Sequence, residues 1–474
     1  MRDILLTGFV FSVVPWMLSR PQFGLLMWSW MGCMNPHRLT WGFAYSFPFA
    51  QLIAACTLTG LLFCRDRQRL PLTLLTLLWF LFIAWMVLTT YFSILPDQAW
   101  LQLSKVLKIH LIALVSVIIV NTREKLHQLL WVITASIGFY GVKGGVFALM
   151  TGGAYRVWGP HPSFIGSNNH LGVALLMILP LMYYFYQQSR HFWLRWGLLL
   201  AMVLTTFGIA STQSRGAFVA GAALVVYLWW KSKKKLVTGM ALLMLVPLVL
   251  TFMPSQWHER MATIQHYEHD PSAMGRIHSW EFAIHIAAER PTGGGFLIWQ
   301  SQETFDRLTD GYKARAAHSI FFGVLGDHGW TGLLLFLGIG WLGLHTGAII
   351  IRRTRKREDL LWMGDLARML QVSMIAYATG GAFLSLSYFD LYWHLLSIMV
   401  ITRMLMERAL ADVPAPQVAP TPSPYRALAA HPRQTAAATM NGHVRAASGH
   451  ARQTHPPPHR RQPPSINWGP VRPG

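Results

Sequence analysis

The chain has 474 residues, of which 53% are hydrophobic and only 12% charged, with a formal net charge of +21. Soluble globular proteins carry about 25% charged residues, so with a mean hydropathy of +0.35 a water-soluble domain is excluded and a bilayer protein is indicated. The positive charge invites a nucleic-acid reading, but much of it sits in short clusters between apolar runs, at 65–69, 231–235 and 352–357. That is the positive-inside distribution of a polytopic membrane protein. The rest lies in a tail with neither a fold nor stacking aromatics, so no nucleic-acid partner is expected.

Taken in order, the first apolar run is Ile4–Met34, interrupted by Arg20-Pro21, and reads as one broken span or two short ones. It lacks a small-residue cleavage site, which predicts a retained span rather than a signal peptide. Further runs long enough to cross a bilayer follow at about 43–63, 70–92, 105–120, 126–150, 169–187, 193–210, 216–230, 236–253, 329–351, 368–387 and 390–406. With the basic clusters inside, the other loops alternate without contradiction, provided Ile4–Met34 counts as one net crossing. Segments 121–125 and 189–195 then fall inside, while 36–41, 93–104, 151–168, 211–215 and 254–317 fall outside. The predicted fold is all-α: a polytopic integral membrane protein with about 12 transmembrane helices and both termini cytoplasmic. Its large outer loop, 254–317, stands between the tenth and eleventh helices when Ile4–Met34 is counted as two. Residues 1–410 form the transmembrane domain. Residues 411–474 read as a disordered cytoplasmic tail, basic, rich in Pro, Ala and His, and suited to anionic inner-leaflet lipid. Cys33, Cys56 and Cys64 lie in or beside early apolar runs, without metal-ligand spacing, and no structural disulfide is expected.

The long outer loop has the composition of an ordered segment. Arg276, Trp280, Ala283 and Ala287 share one face at helical spacing, and Pro291 to Phe296, with three consecutive glycines, stops that helix and forms a flexible turn. This predicts a helix lying on the outer membrane surface, followed by a glycine elbow leading towards His318. If Ala317–Gly332 is one helix, His318 and Gly329 are eleven residues apart and fall on nearly the same face. The imidazole would then cap a face whose glycines admit a second helix.

Three outer-leaflet cations accompany that histidine. Arg215 stands in the turn Gln213-Ser214-Arg215-Gly216, Arg276 opens the loop helix, and Lys143 lies inside an apolar span within about two turns of its outer end. A cation within a span costs several kcal/mol unless it snorkels or is paired. No carboxylate stands at helical spacing beside Arg215 or Lys143, so an anionic ligand is one economical partner. A lipid diphosphate at the interface fits the depth, and arginine's planar fork suits phosphate oxygens. Plainer readings compete: an interface anchor for Arg215, snorkelling for Lys143, pairing with Glu281 or Asp270 for Arg276, and a structural role for His318. The loop histidines His258, His266, His269, His278 and His285, with Glu268, match no strong zinc spacing, so no metal is expected. Gly293–Gly295 lacks the following Gly-Lys-Ser/Thr of a phosphate loop.

At this point the residues carry a family resemblance. His318-Ser319, nine residues, then Gly329-x-x-Gly332 resembles the loop-to-helix signature of bacterial O-antigen ligases. Polysaccharide polymerases and protein O-oligosaccharyltransferases share it in part. Arg276-x-x-x-Trp280-x-x-Ala283 followed by Arg290-Pro291-x-x-Gly294-Gly295-Phe296 is similar to the segment that precedes that histidine in the family. Ser214-Arg215-Gly216, Tyr155-Arg156-Val157-Trp158-Gly159-Pro160 and Phe164 to Leu171 resemble it too. Met34-Asn35-Pro36-His37-Arg38-Leu39-Thr40-Trp41-Gly42 looks like the subgroup of O-glycosylation ligases associated with exosortase A systems.

The resemblance covers roughly residues 1–405. It implies a GT-C-like, metal-independent glycosyltransferase without a cofactor, in the bacterial inner membrane, its site facing the periplasm. The donor would be a glycan on undecaprenyl diphosphate, and the acceptor a hydroxyl on lipid, protein or growing polysaccharide. On this reading His318 is catalytic, either activating the acceptor or donating to the diphosphate. Arg215 and Arg276 bind the donor diphosphate, with Lys143 and Arg156 secondary, while Ser319, Gly329, Gly332, Trp280 and Gly294 form the structural motif. The alternatives are a polymerase of the same family and a transporter of lipid-linked sugar. Against the transporter, the ionisable residues cluster on the outer side and no inverted repeat is visible.

Overall fold

The structure is a computed structural model that describes residues 1–231, 271–309 and 311–412, together with 235–236, 239–240, 243–244, 247 and 251. Most of the predicted span 236–253, the first part of the predicted outer loop with His258, His266, Glu268, His269 and Asp270, and the tail beyond 412 lie outside the described residues.

The described chain is helical, without strands. Its α-helices are α1 (Arg2–Ser19), α2 (Pro21–Met34), α3 (Phe49–Phe63), α4 (Leu74–Tyr91), α5 (Pro96–Ile119), α6 (Arg123–Met150), α7 (Asn168–Gln188), α8 (Phe192–Ser211) and α9 (Arg215–Lys231). The rest are α10 (Pro271–Glu289), α11 (Gln302–Leu308), α12 (Ile320–Thr354), α13 (Leu361–Gly381) and α14 (Asp390–Ala411). The Ile4–Met34 run is two helices. Arg20 is extended, as a residue before proline prefers, and Pro21 opens α2 at a position that needs no N–H. Hydroxyl caps set other starts: Thr73 for α4, Thr122 for α6, Ser167 for α7 and Ser319 for α12.

Among the described residues seven helices are long and apolar enough to cross a membrane: α1, α4, α5, α6, α7, α8 and α12. Phe49–Phe63 and Arg215–Tyr227 are shorter apolar helices. The protein is thus a polytopic membrane protein by length and composition. The predicted spans 368–387 and 390–406 correspond to α13 and α14, which fall outside those seven. Asp365, Arg368, Arg403 and Glu407 lower their apolarity. They are nevertheless interior helices, and Leu391 through Thr402 is an unbroken run of buried residues. With neighbours on every side, α14 needs no single apolar stripe. Its Trp393 packs with Trp79, Phe82, His110 and Phe336 into an aromatic centre. Close backbone approach holds α6 to α8, where a Cβ on Gly145 would stand 1.9 Å from the Leu204 carbonyl oxygen.

The loops gather at two ends, grouped as the charge alternation groups them. At one end Tyr45 Oη donates to His161 O (3.5 Å), Val157 N to Ser211 O (3.0 Å), and Ile94 N to Gly294 O (3.0 Å). At the other end Lys125 Nζ meets Asp66 Oδ2 at 2.7 Å, the Arg123 guanidinium lies over the Trp362 ring at 4.6 Å, and Gln188 Nε2 reaches Asp365 Oδ2 at 3.5 Å. The first end carries every loop predicted outside that the structure describes, plus the connection 382–389.

Helices α10 and α11 form a cap on that end. Phe282, Ile286, Ile298 and Phe305 make its own small core. The predicted face on α10 exists, and it is turned onto α12. Ala283 and Ala287 are buried against Leu325 of α12, and Trp280 stacks on Phe322 at 4.9 Å. Two small residues one turn apart let α10 approach α12, so protein takes the apolar face.

Candidate functional site

The stretch 317–332 is not one helix. Ser319 caps α12, and Gly329 (φ 66°, ψ −171°) breaks it into two helical halves. His318 therefore stands before the first half and does not share a helical face with Gly329. The break has a structural partner in the glycine elbow. The carbonyls of Gly326 and Asp327, which the break frees from helical bonds, accept from Gly294 N and Gly295 N, each at 2.9 Å. Gly294 O in turn accepts from Ile94 N and from Ser93 Oγ. The predicted flexible turn is thus a fixed bracket between α12 and the end of α4. It docks at the kink rather than leading directly to His318. Only glycine suits position 329: its φ is in the left-handed region, and a Cβ would stand 2.2 Å from Pro291 O. Gly332 faces His328, whose Cβ would lie 2.3 Å from an added methyl.

His318 has the left-handed φ of 46°, a conformation that costs a non-glycine residue on the order of 1 kcal/mol. Three neighbours hold it. His318 N donates to Ser385 Oγ (3.1 Å), Trp280 Nε1 donates to the preceding Ala317 carbonyl (2.8 Å), and Ser319 Oγ caps α12. The backbone is fixed while part of the imidazole stays open to solvent. Partial burial lowers the imidazole pKa from its usual value, and the guanidinium charges of Arg276 and Arg315 lower it further. Arg276 sits one turn before Trp280 on α10, and the Arg315 side chain lies over Gly275. His170 on α7 is also near enough to interact electrostatically with His318. At neutral pH such an imidazole is uncharged, with a lone pair available beside two cations.

Arg215 begins α9, and Gly216 abuts Phe383 and Leu384, the two residues before Ser385. Arg215 and His318 therefore flank the same connection. Arg156 joins that corner from another direction: its Nε donates to Gln213 Oε1 at 3.1 Å, two residues before Arg215. Gln213 itself has φ 51° and is buried, with its carboxamide also reaching Gly153 O. Lys143 is placed differently. It is exposed on α6, and among the described residues no hydrogen bond or ion pair ties it to the other cations.

Some residues of this end escaped the sequence reading. Asp327 is buried, accepting from Trp299 Nε1 (3.1 Å) and Tyr388 Oη (2.9 Å), which pins the cap and the 382–389 connection to α12. His328 is buried beneath it, bonded to Thr89 Oγ1 at 2.7 Å. An Asp-His pair between two glycines in an apolar run was the available signal. Arg290 donates to the carbonyls of Gly293 and Phe92, locking the bracket. His278 stacks on Tyr312 and meets Glu281, and His285 bonds the Leu308 carbonyl. Among the described residues no group of three or more His, Cys, Asp or Glu could hold a metal ion.

The helices define a multi-pass membrane protein that gathers Arg156, Arg215, Arg276, Arg315 and His318 at one end. Residues 200–337 match the family model described as O-Antigen ligase, and residues 1–190 match a family of unknown function (DUF5935). The first match supports the O-antigen ligase family and with it a ligase-like membrane enzyme that transfers glycans, a family that implies a lipid-linked donor and an acceptor. No curated protein matches the chain. Arg215, Arg276 and His318 lie within the first match, whereas Lys143 and Arg156 lie within the second. The Arg156–Gln213 bond links the two segments.

Proposed function

We propose that the protein transfers a preassembled glycan from undecaprenyl diphosphate to an acceptor hydroxyl on the periplasmic side of the inner membrane. We read it as an O-glycosylation ligase linked to exopolysaccharide and exosortase systems. What supports the reading is an imidazole fixed at a left-handed backbone position, its pKa lowered by partial burial and by the charges of Arg276 and Arg315. In the reaction the acceptor oxygen bonds to the anomeric carbon as the bond from that carbon to the diphosphate oxygen breaks. The lipid diphosphate leaves with the electron pair, and the acceptor proton passes to His318 and on to solvent. Arg276 and Arg215 stabilise the charge that grows on the leaving group, an effect often worth about 3–4 kcal/mol per donor. No metal or cofactor has a part in this scheme.

Transfer from a polyprenyl-diphosphate glycan by purified protein in detergent tests the proposal. Arg276→Gln and Arg215→Gln should each raise the donor KM about tenfold to a hundredfold, the worth of a charge-assisted hydrogen bond. An unchanged donor KM in both variants would remove the diphosphate assignment.

A further inference from the structure

A concavity at the same end of the bundle is lined by none of the residues placed in that chemistry. It has a volume of about 330 Å³, and its lining includes Asn35, His37, Arg38, Tyr45, Phe47 and Gln51. That volume lies near the lower end for small-molecule sites, about 300–1,000 Å³. The local sequence builds it. Asn35 ends α2 in a left-handed conformation (φ 50°), and two short 3-10 turns, Pro36–Leu39 and Phe43–Tyr45, fold back before α3. Asp3 fixes the second turn by accepting from Gly42 N (2.9 Å) and Ala44 N (3.2 Å).

The polar groups of this wall are only partly used. One Arg38 nitrogen donates to Tyr45 O at 3.2 Å, and the guanidinium lies over the Tyr45 ring at 4.7 Å. Arg38 Nε and His37 Nδ1 are buried and, among the described residues, have no hydrogen-bond partner. Both nitrogens lie beneath the cavity surface, so a ligand meets the rest of the Arg38 guanidinium rather than these two atoms. Burial first and the Arg38 charge second push the His37 pKa down to about 4. At neutral pH the wall therefore presents one cation beside neutral donors and acceptors. No carboxylate is among the lining residues. Asp390 Oδ2 lies 3.6 Å from where a Cβ on the lining residue Gly32 would stand, and its Oδ1 accepts from Leu391 N.

We propose that this cavity binds one carboxylate-bearing sugar unit. A single planar guanidinium matches a carboxylate in charge and shape, the Gln51 amide suits sugar hydroxyls, as does the Asn35 amide beyond its bond to Gly32 O, and Phe47 adds an apolar surface for a sugar ring. A phosphate monoester would bring more charge than one arginine offsets. Tyr45 Oη also donates to His161 O, in the loop that carries Arg156, so the cavity lies against that loop. The sugar belongs to the donor glycan or to a glycosylated acceptor. Only that origin rests on the proposed transfer reaction, because binding is measured without turnover.

The test is saturation-transfer NMR on the full chain in neutral detergent, with glucuronate as probe and methyl glucoside as its uncharged counterpart. Saturable glucuronate binding is expected, with the glucoside at least tenfold weaker. Arg38→Gln should erase that preference. Ala50→Trp, which fills the cavity from another lining position, should abolish both signals and decides the matter if the Arg38 variant does not fold. His318→Ala should bind glucuronate unchanged while losing transfer, so the cavity and the proposed reaction can fail separately. In the wild type, glucuronate inhibition competitive with donor assigns the sugar to the donor, and inhibition competitive with acceptor assigns it to the acceptor. Equal affinity for the two sugars, no saturable binding, or glucuronate binding that survives Ala50→Trp would overturn the proposal.

Discussion

His318 and His328 lie ten residues apart on one stretch of chain and meet opposite surroundings. His318 is exposed, held through its backbone by Ser385 and flanked by the Arg276 and Arg315 charges. His328 is fully buried, bonded through Nδ1 to Thr89 and set edge-on to Phe82 and Phe296, with its carbonyl accepting from Trp85. The mouth fixes a backbone and leaves a ring reachable, while the hinge fixes the ring itself. A group that exchanges protons with a substrate needs the first arrangement, and a joint between helices needs the second. The sharpest way to break this division is to truncate both. His318→Ala should lower transfer by about 10²–10⁴, the usual worth of a general base, at wild-type levels of folded protein. His328→Leu should lower thermal stability while sparing the rate per folded molecule. Equal loss of rate per folded molecule in both variants would dissolve the distinction.

The hinge can be attacked where it is least tolerant. Gly329→Ala places a methyl 2.2 Å from Pro291 O at a backbone position that L side chains rarely adopt. A destabilisation of about 2–3 kcal/mol is expected, seen as a lower denaturation midpoint, with the bracket 293–295 losing amide-exchange protection alongside residues 326–329. If exchange rises only around Gly329 and not at Gly294 and Gly295, the bracket and the kink are not one joint.

What could be read beforehand follows from which signals are local. The grouping of loops at two ends came from charge clusters spaced between apolar runs, and Asp66–Lys125 and Ile94–Gly294 pair within the predicted sides. The α10 face was legible because Arg276, Trp280, Ala283 and Ala287 repeat at helical spacing. Its partner was not, since nothing in that pattern separates a lipid surface from Leu325. The kink was hidden because the apolar run continues through Gly329, and glycine there reads equally as a small packing residue. The carbonyls that accept from Gly294 and Gly295 show otherwise. The meeting of Arg156 with the Arg215 turn depends on the Gln213 carboxamide, 57 residues away in sequence, and no periodicity reports such a pair.

The subtlest difference between the two histidines is electrostatic, and Arg315→Gln sharpens it. The folded protein holds the His318 pKa below its ordinary value, through burial and the charges of Arg276 and Arg315. A general base works in its neutral form, so transfer should decline only as pH falls through that lowered value. Removing the Arg315 charge leaves burial and Arg276 in place but makes the imidazolium easier to form. The His318 pKa then rises towards its ordinary value, and the acid limb of the pH–rate profile moves to higher pH with little change in rate at neutral pH. Because Arg315 is exposed, added salt should screen its charge and shrink the difference between variant and wild type. A limb that stays in place, or moves the other way, would mean that the neighbouring cations do not set the ionisation of the group that limits transfer.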